Sequence, residues 1–278
     1  MAEAIIEIQN VLCSYDKKKS ILHVDKFHLE RCEIVFLLGP SGIGKSTLVE
    51  AIGLINNTAQ KTNEFSSMNF LDSNGRYTDL IGIWNEDKQA LEKFRKGHFS
   101  FIFQNNFLMP NLTAGDNMMI TLLMKGEKET DAKEKIMHYM RVVNLKEEVF
   151  NKPIYHLSGG QKQRLAFVRA IAAPLDILIG DEPTGNLDSH TARKLMGYTR
   201  DSLIENKKSG LFVSHDINLA LDFSDRIYIL KPGVKNGQTV GLVDESFVLR
   251  KSEGIWMSGS TAVSEPFKFL SDTYTEIM

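Results

Sequence analysis

The sequence predicts an α/β fold: a mainly parallel sheet covered by helices, with an antiparallel β lobe near the N-terminus and an inserted α-helical subdomain. Short β-branched or apolar runs recur along the chain, at Ile5 to Ile8, Ile34 to Leu38, Phe101 to Phe103, Ile177 to Ile179, Leu211 to Val213 and Ile227 to Leu230. Helical stretches separate them, the alternation that builds a doubly covered parallel sheet. A glycine-rich loop follows one of these runs directly, which places a strand-to-helix turn at a known kind of anion site.

Taken in order, Tyr15 to Ser20 is polar and sits between two short alternating segments, so the first strands are expected to form an antiparallel hairpin. The run Lys17-Lys18-Lys19 within it reads as a solvated turn. Asn56 to Arg76 is rich in Asn, Ser and Thr with little periodicity, and is expected to be surface loop or weak strand. From about Thr113 to Tyr155 strand signals vanish. Within that stretch Ile136, Met140 and Val143 lie at i, i+4 and i+7 of a helix over Asp131 to Leu145. A helical subdomain over about 105–160 follows, inside a domain of 1–244. Residues 245–278 form an extension without a readable motif, although Phe247, Trp256, Phe267, Phe269 and Leu270 argue against full disorder.

Composition narrows the class only a little. The chain has 278 residues, 42 % apolar and 24 % charged, enough for a substantial core without covalent staples. A net charge of -2 provides no global attraction to nucleic acid or acidic lipid. Cys13 and Cys32 match no metal or redox spacing, which points to a reducing, cytosolic setting. The N-terminus lacks a basic region and a long apolar core, and no apolar run reaches the roughly 18 residues of a spanning helix. Any work at a membrane is therefore expected to need another chain.

The chemistry is concentrated in a few segments. Gly39-Pro40-Ser41-Gly42-Ile43-Gly44-Lys45-Ser46-Thr47 is the pattern G-x-x-x-x-G-K-[ST] between a strand and a helix. Its glycines let backbone N–H groups approach phosphate oxygens, and the helix start adds positive potential. Lys45 is expected on the β- and γ-phosphates and the Ser46 hydroxyl on Mg²⁺. Asp176 to Glu182 is an apolar run ending in two carboxylates, Asp181 placed to hold Mg²⁺ through water and Glu182 to polarise an attacking water. Leu157-Ser158-Gly159-Gly160-Gln161 precedes an apolar helix, and Ser158 with the Gly159 and Gly160 amides would make a second anion cradle.

This LSGGQ pentapeptide, with a phosphate loop upstream and Asp181-Glu182-Pro183 downstream, resembles the ATP-binding-cassette (ABC) family over roughly Ile5 to Asp244. The resemblance implies a P-loop NTPase fold with a RecA-like core. It implies ATP and Mg²⁺ as ligands, and two cassettes paired head to tail around two nucleotides. By the same resemblance Tyr15 would stack on adenine, Gln104 would touch Mg²⁺ or water, and Asp188 would lie in a loop crossing the dimer interface. His215 would contact the γ-phosphate, and Ser158 to Gln161 would serve the nucleotide of the opposite copy. The segment from Gln104 to Asn117 looks like that of the lipoprotein-releasing, macrolide-export and cell-division group, in which it borders the groove for a helix of the membrane subunit. Phe107, Leu108, Met109 and Leu112 would floor that groove, or else pack internally. The expected product is an ATPase peripheral to the inner face of the cell membrane, bound to a transmembrane permease subunit and to no nucleic acid. The alternatives are a soluble cassette acting on DNA or ribosomes, for which no coiled coil, zinc module or second cassette is evident, and a cassette that binds ATP without turnover, which the complete set of catalytic letters does not favour. Asn56 to Lys96 departs from the family in length and polarity, and leaves the strand order of the antiparallel lobe open.

Overall fold

The computed structural model describes residues 3–16, 19–235 and 237–277. The chain divides into two compact units, one made of Met1–Arg95 with Ser209–Met278 and the other of Lys96–Lys208. In chain order the first unit opens with β1 (Ala4–Asp16), β2 (Lys19–Glu30), β3 (Ile34–Leu38), α1 (Lys45–Ile52), β4 (Ala59–Lys61), β5 (Ser67–Leu71), β6 (Tyr77–Asp79) and most of α2 (Lys88–His98). The second unit holds β7 (Phe99–Phe103), α3 (Ala114–Met124), α4 (Glu129–Val142), α5 (Gly159–Ala172), β8 (Ile177–Asp181) and α6 (Ser189–Glu205). The chain returns to the first unit with β9 (Ser209–Val213), α7 (Ile217–Phe223), β10 (Arg226–Ile229), β11 (Lys231–Lys235), β12 (Gln238–Val243), β13 (Val248–Ser252), β14 (Ile255–Ser258), β15 (Thr261–Ala262) and α8 (Pro266–Ile277).

In the first unit β1 and β2 form the expected antiparallel pair, with Ile8 opposite Phe27 and Val11 opposite Val24. Lys17 and Lys18, in the anticipated turn, lie outside the described residues. Alternation puts Ile6, Ile8, Phe27 and Leu29 on one face of the pair and Val11, Cys13, Leu22 and Val24 on the other, and all of them are buried. This lobe runs in the order β11-β12-β2-β1-β5-β6, with β4 also on β1. The segment Asn56 to Arg76 follows the weak-strand alternative and is part of the lobe: Phe70 pairs with Ile6 and Met68 with Ile8, and both are buried. Its two-residue period lasts only five residues between polar neighbours, too short to stand out in the sequence.

β3 lies between β9 and β10 and is parallel to both. All five of its residues are buried, as expected for a strand covered on two faces. The extension after Asp244 is ordered into this sheet. β13 pairs antiparallel with β10, β14 with β13 and β15 with β14, while α8 packs on α7 and buries Leu270 completely. A buried ion cluster supports the junction. The Arg226 side chain on β10 is 2 % exposed, and its guanidinium lies 2.8 Å from both Glu30 Oε1 and Glu33 Oε1; Arg250 of β13 reaches Glu30 at 3.1 Å. Burial raises the Glu33 carboxyl above the usual carboxylate range, against the pull of Arg226.

In the second unit β7 and β8 are parallel, with Phe103 opposite Asp181. The helices α3, α4 and α5 bury Met118, Leu122, Ile136, Met140, Leu165 and Phe167 among themselves and the strands. Thr113 caps α3 through a reciprocal pair of bonds with Asp116. α4 covers Glu129–Val142, close to the predicted helix, and Ile136, Met140 and Val143 are buried as the period requires. The Arg226→Ala variant leaves the buried Glu33 without its main partner and the half-buried Glu30 with Arg250 alone, and is expected to lose about 3 to 5 kcal/mol in urea unfolding; a loss below about 1 kcal/mol would show that the cluster is solvated.

Candidate nucleotide site

The first unit carries the phosphate loop. β3 delivers the chain to a turn in which Gly39, Gly42 and Gly44 all take positive φ, and α1 starts at Lys45 without a side-chain cap from Gly44. The Lys45 ammonium is buried and donates to the carbonyls of Gly39 at 2.6 Å and Pro40 at 2.8 Å. Ser41 and Ser46 are exposed, Pro40 and Ile43 half-buried, and Thr47 buried. The loop rests on β12. A Cβ added to Gly241 would lie 2.0 Å from the Ile43 carbonyl oxygen, so only glycine lets that strand pass beneath the loop.

Tyr15 ends β1 with its hydroxyl 3.5 Å from Thr47 Oγ1 and 3.4 Å from Glu50 Oε2. The residue remains 62 % exposed beside α1. His215 follows β9, whose end is in register with the end of β3 that feeds the loop. It is exposed between the buried Ser214 and the exposed Asp216, and Asp216 caps α7 by accepting from Leu219 N. These two neighbours fix the backbone on either side of the imidazole: Asp216 N donates to Ser214 Oγ at 3.0 Å.

The second unit brings the predicted glutamine and carboxylates together. Gln104 and Glu182 extend the paired strands β7 and β8, and Gln104 Nε2 donates to Glu182 Oε2 at 3.3 Å. Asp181 is the last residue of β8 and half-buried. Glu182 has φ +48°, a conformation that costs a non-glycine residue of order 1 kcal/mol and is kept where surroundings over-determine it. Part of that restraint comes from Gln163 of α5, a buried side chain whose amide donates to the Pro183 carbonyl. Asn186 Nδ2 donates to the Gln104 carbonyl at 3.3 Å.

Ser158 caps α5: its hydroxyl oxygen accepts from Gln161 N at 3.3 Å, and Gln161 Oε1 accepts from Ser158 N at 2.9 Å. Both side chains are thereby oriented by their own helix, and the space beside the Gly159 Cα is open. Asp188 caps α6 and is fully exposed; the Thr191 N–H holds its carboxyl below the usual range. After Gln104 the chain is held from both sides. Arg169 donates to the carbonyls of Asn106 at 2.7 Å and Phe107 at 3.0 Å, and fully buried Asn117 accepts from Met109 N at 2.7 Å while donating to Met109 O at 3.0 Å. Phe107 and Met109 are left 66 % and 46 % exposed, whereas Leu108 and Leu112 are half-buried. Gln163, Arg169, Asn117 and Gly241 were not picked out from the sequence. The first two lie on the helix that opens with LSGGQ, where their period was visible but not their targets.

The ABC transporter family model matches residues 22–185 of this chain, from β2 through the P-loop and LSGGQ to the residues after Asp181-Glu182. The chain belongs to the ABC transporter ATP-binding family. It is similar to the ABC transporter ATP-binding protein MJ0796 of Methanocaldococcus jannaschii, 33 % identical over 235 residues that cover 82 % of this cassette and 94 % of that protein. The lipoprotein-releasing system ATP-binding protein LolD of Porphyromonas gingivalis is 34 % identical over 230 residues, 83 % of the cassette and 98 % of LolD. A solved dimeric structure of MJ0796 in a post-hydrolysis state with ADP and Pi superposes with a TM-score of 0.68 at 29 % identity, covering 84 % of this chain and 96 % of that one. The cassette is thus an ATP-binding ATPase of P-loop NTPase fold, as the motifs imply. Among the described residues no helix is long and apolar enough to cross a membrane.

The tight passage at Gly241 yields a check. Gly241→Ala should push Ile43 and the loop aside and weaken ATP binding by about tenfold or more, the equivalent of one charge-assisted phosphate contact. Calorimetric titration with ATP measures it, and unchanged affinity would mean that β12 does not set the loop.

Proposed function

We propose that this cassette hydrolyses MgATP as one of a head-to-tail pair and uses the closure of the pair to drive a transmembrane partner. The hydrolytic part of this reading is carried by the Gln104–Glu182 contact at the ends of β7 and β8. In it Glu182 accepts a proton from the attacking water and Gln104 orients that water. Lys45 and the amides of Gly42 to Thr47 hold the β- and γ-phosphates, Ser41 and Pro40 shape the loop, Tyr15 stacks on the base and His215 touches the γ-phosphate. The Ser158 to Gln161 helix start of a second copy completes the phosphate shell, with Asp188 at the interface of the pair.

Ser46, Gln104 and Asp181 offer only oxygen donors, the chemistry Mg²⁺ prefers, whereas no cluster of three or more His, Cys, Asp or Glu fit for a metal occurs among the described residues. The bound ion would neutralise charge on the β- and γ-phosphates.

Membrane coupling is supported by Phe107 and Met109. Their backbone is pinned by Arg169 and Asn117 while the side chains keep substantial exposure, Phe107 with one edge contact to Phe103, which suits an apolar floor for an amphipathic helix of the partner better than full internal packing. The cassette would then sit on the cytoplasmic face of the cell membrane, held there by that helix.

Glu182→Gln is expected to bind ATP, lower turnover by about a hundredfold or more, and elute as a dimer with ATP. In that variant a multi-span membrane protein should co-purify from the native host, and adding Phe107→Asp should release it. Turnover within twofold of the parent would refute the role of Glu182, and capture that ignores Phe107→Asp would refute the docking surface. Lys45→Ala should abolish tight ATP binding, which direct titration would register.

A further inference from the structure

The C-terminal helix α8 touches the nucleotide loop at one point that neither the motifs nor the family match accounts for. The Gly39 N–H, first donor of the P-loop, gives its hydrogen bond to the Tyr274 hydroxyl oxygen, across a sequence separation of 235 residues. Gly39 is confined on its other side as well. A Cβ there would come within 2.8 Å of the Leu230 carbonyl oxygen, and its own carbonyl accepts from the Lys45 ammonium at 2.6 Å. Both polar groups of this one residue are thus engaged, the N–H by α8 and the C=O by the catalytic-loop lysine. The preceding carbonyl, Leu38 O, accepts from Leu230 N at 2.8 Å.

α8 is seated firmly enough to act as a strut. Leu270, one turn before Tyr274 on the same face, is fully buried, and the helix packs on α7, which starts two residues after His215. Tyr274 itself is half-buried, and burial raises its phenol above the usual range, so the hydroxyl stays protonated at neutral pH. The bond falls at the root of the loop, and the amides from Gly42 onward are not its target. Tyr274 therefore leaves the phosphate-facing donors to the ligand.

We propose that Tyr274 is a positioning residue for ATP: by accepting from Gly39 N–H, α8 sets the first peptide of the P-loop and, through the Gly39 carbonyl, the aim of the Lys45 ammonium. This rests on the reading that Lys45 holds the phosphates. It makes the segment after Asp244 a part of the nucleotide site of the same chain.

The test uses the full chain and the conservative variant Tyr274→Phe, which keeps the ring and deletes only the acceptor. The Gly39 amide should exchange faster without nucleotide, and the Kd and KM for MgATP should rise about fivefold, the worth of one neutral hydrogen bond. Turnover at saturating ATP and the thermal midpoint should stay close to the parent. Phe267→Ser, at an exposed position of the same helix, should change none of these. Unchanged Gly39 exchange, unchanged Kd, or a lowered midpoint with Kd unaltered would each overturn the proposal. A parent chain that fails to bind MgATP at all would instead refute the function on which it rests.

Discussion

The Lys45 ammonium is the constraint from which the rest of the site follows. A lysine sunk to 5 % exposure at the start of a helix costs several kcal/mol unless its donors are met. Two backbone carbonyls meet them here, those of Gly39 and Pro40. A loop that folds its own carbonyls onto the lysine must turn its amides the other way, and this is the cradle a polyphosphate needs. The turn in turn requires positive φ at Gly39, Gly42 and Gly44, and clearance below it at Gly241. The strand that supports it must be rigid, which β3 achieves between two parallel neighbours with every residue covered.

The second unit applies the same logic to acids. Glu182 is held in a left-handed conformation at a strand end, with Gln104 on its carboxylate and Gln163 on the next carbonyl. α5, which opens with the LSGGQ cap, also sends Arg169 to the segment that displays Phe107. One helix therefore touches the cap, the end of the acidic strand and the exposed apolar segment. In the proposed function, a partner docked on Phe107 and Met109 would be joined to the acid through this one helix.

Much of this was legible because the chemistry is local in sequence. The P-loop and LSGGQ are each compact in sequence, so spacing exposed them, and the acidic pair drew its meaning from the P-loop upstream. The helix through Ile136 and Met140 and the buried run Ile34 to Leu38 were equally plain from period and composition. What escaped was set by distant partners. β5 became a strand because β1 offered Ile6 and Ile8 to Phe70 and Met68, and nothing within Asn56 to Arg76 announces that pairing. Gly241 looks like any glycine in a weak strand until Ile43 is placed beside it. The extension after Asp244 carries its message in Arg250, Leu270 and Tyr274, three residues whose partners lie some two hundred positions upstream or in another helix.

In the proposed function ATP binds through the amides of the loop that Lys45 organises. Residue-resolved amide hydrogen exchange over Gly39 to Thr47, with and without saturating MgATP, tests it most directly. Exchange from Gly42 to Thr47 should slow by about tenfold or more when nucleotide is present. Nucleotide bound at full occupancy with no change in exchange across that segment would contradict it.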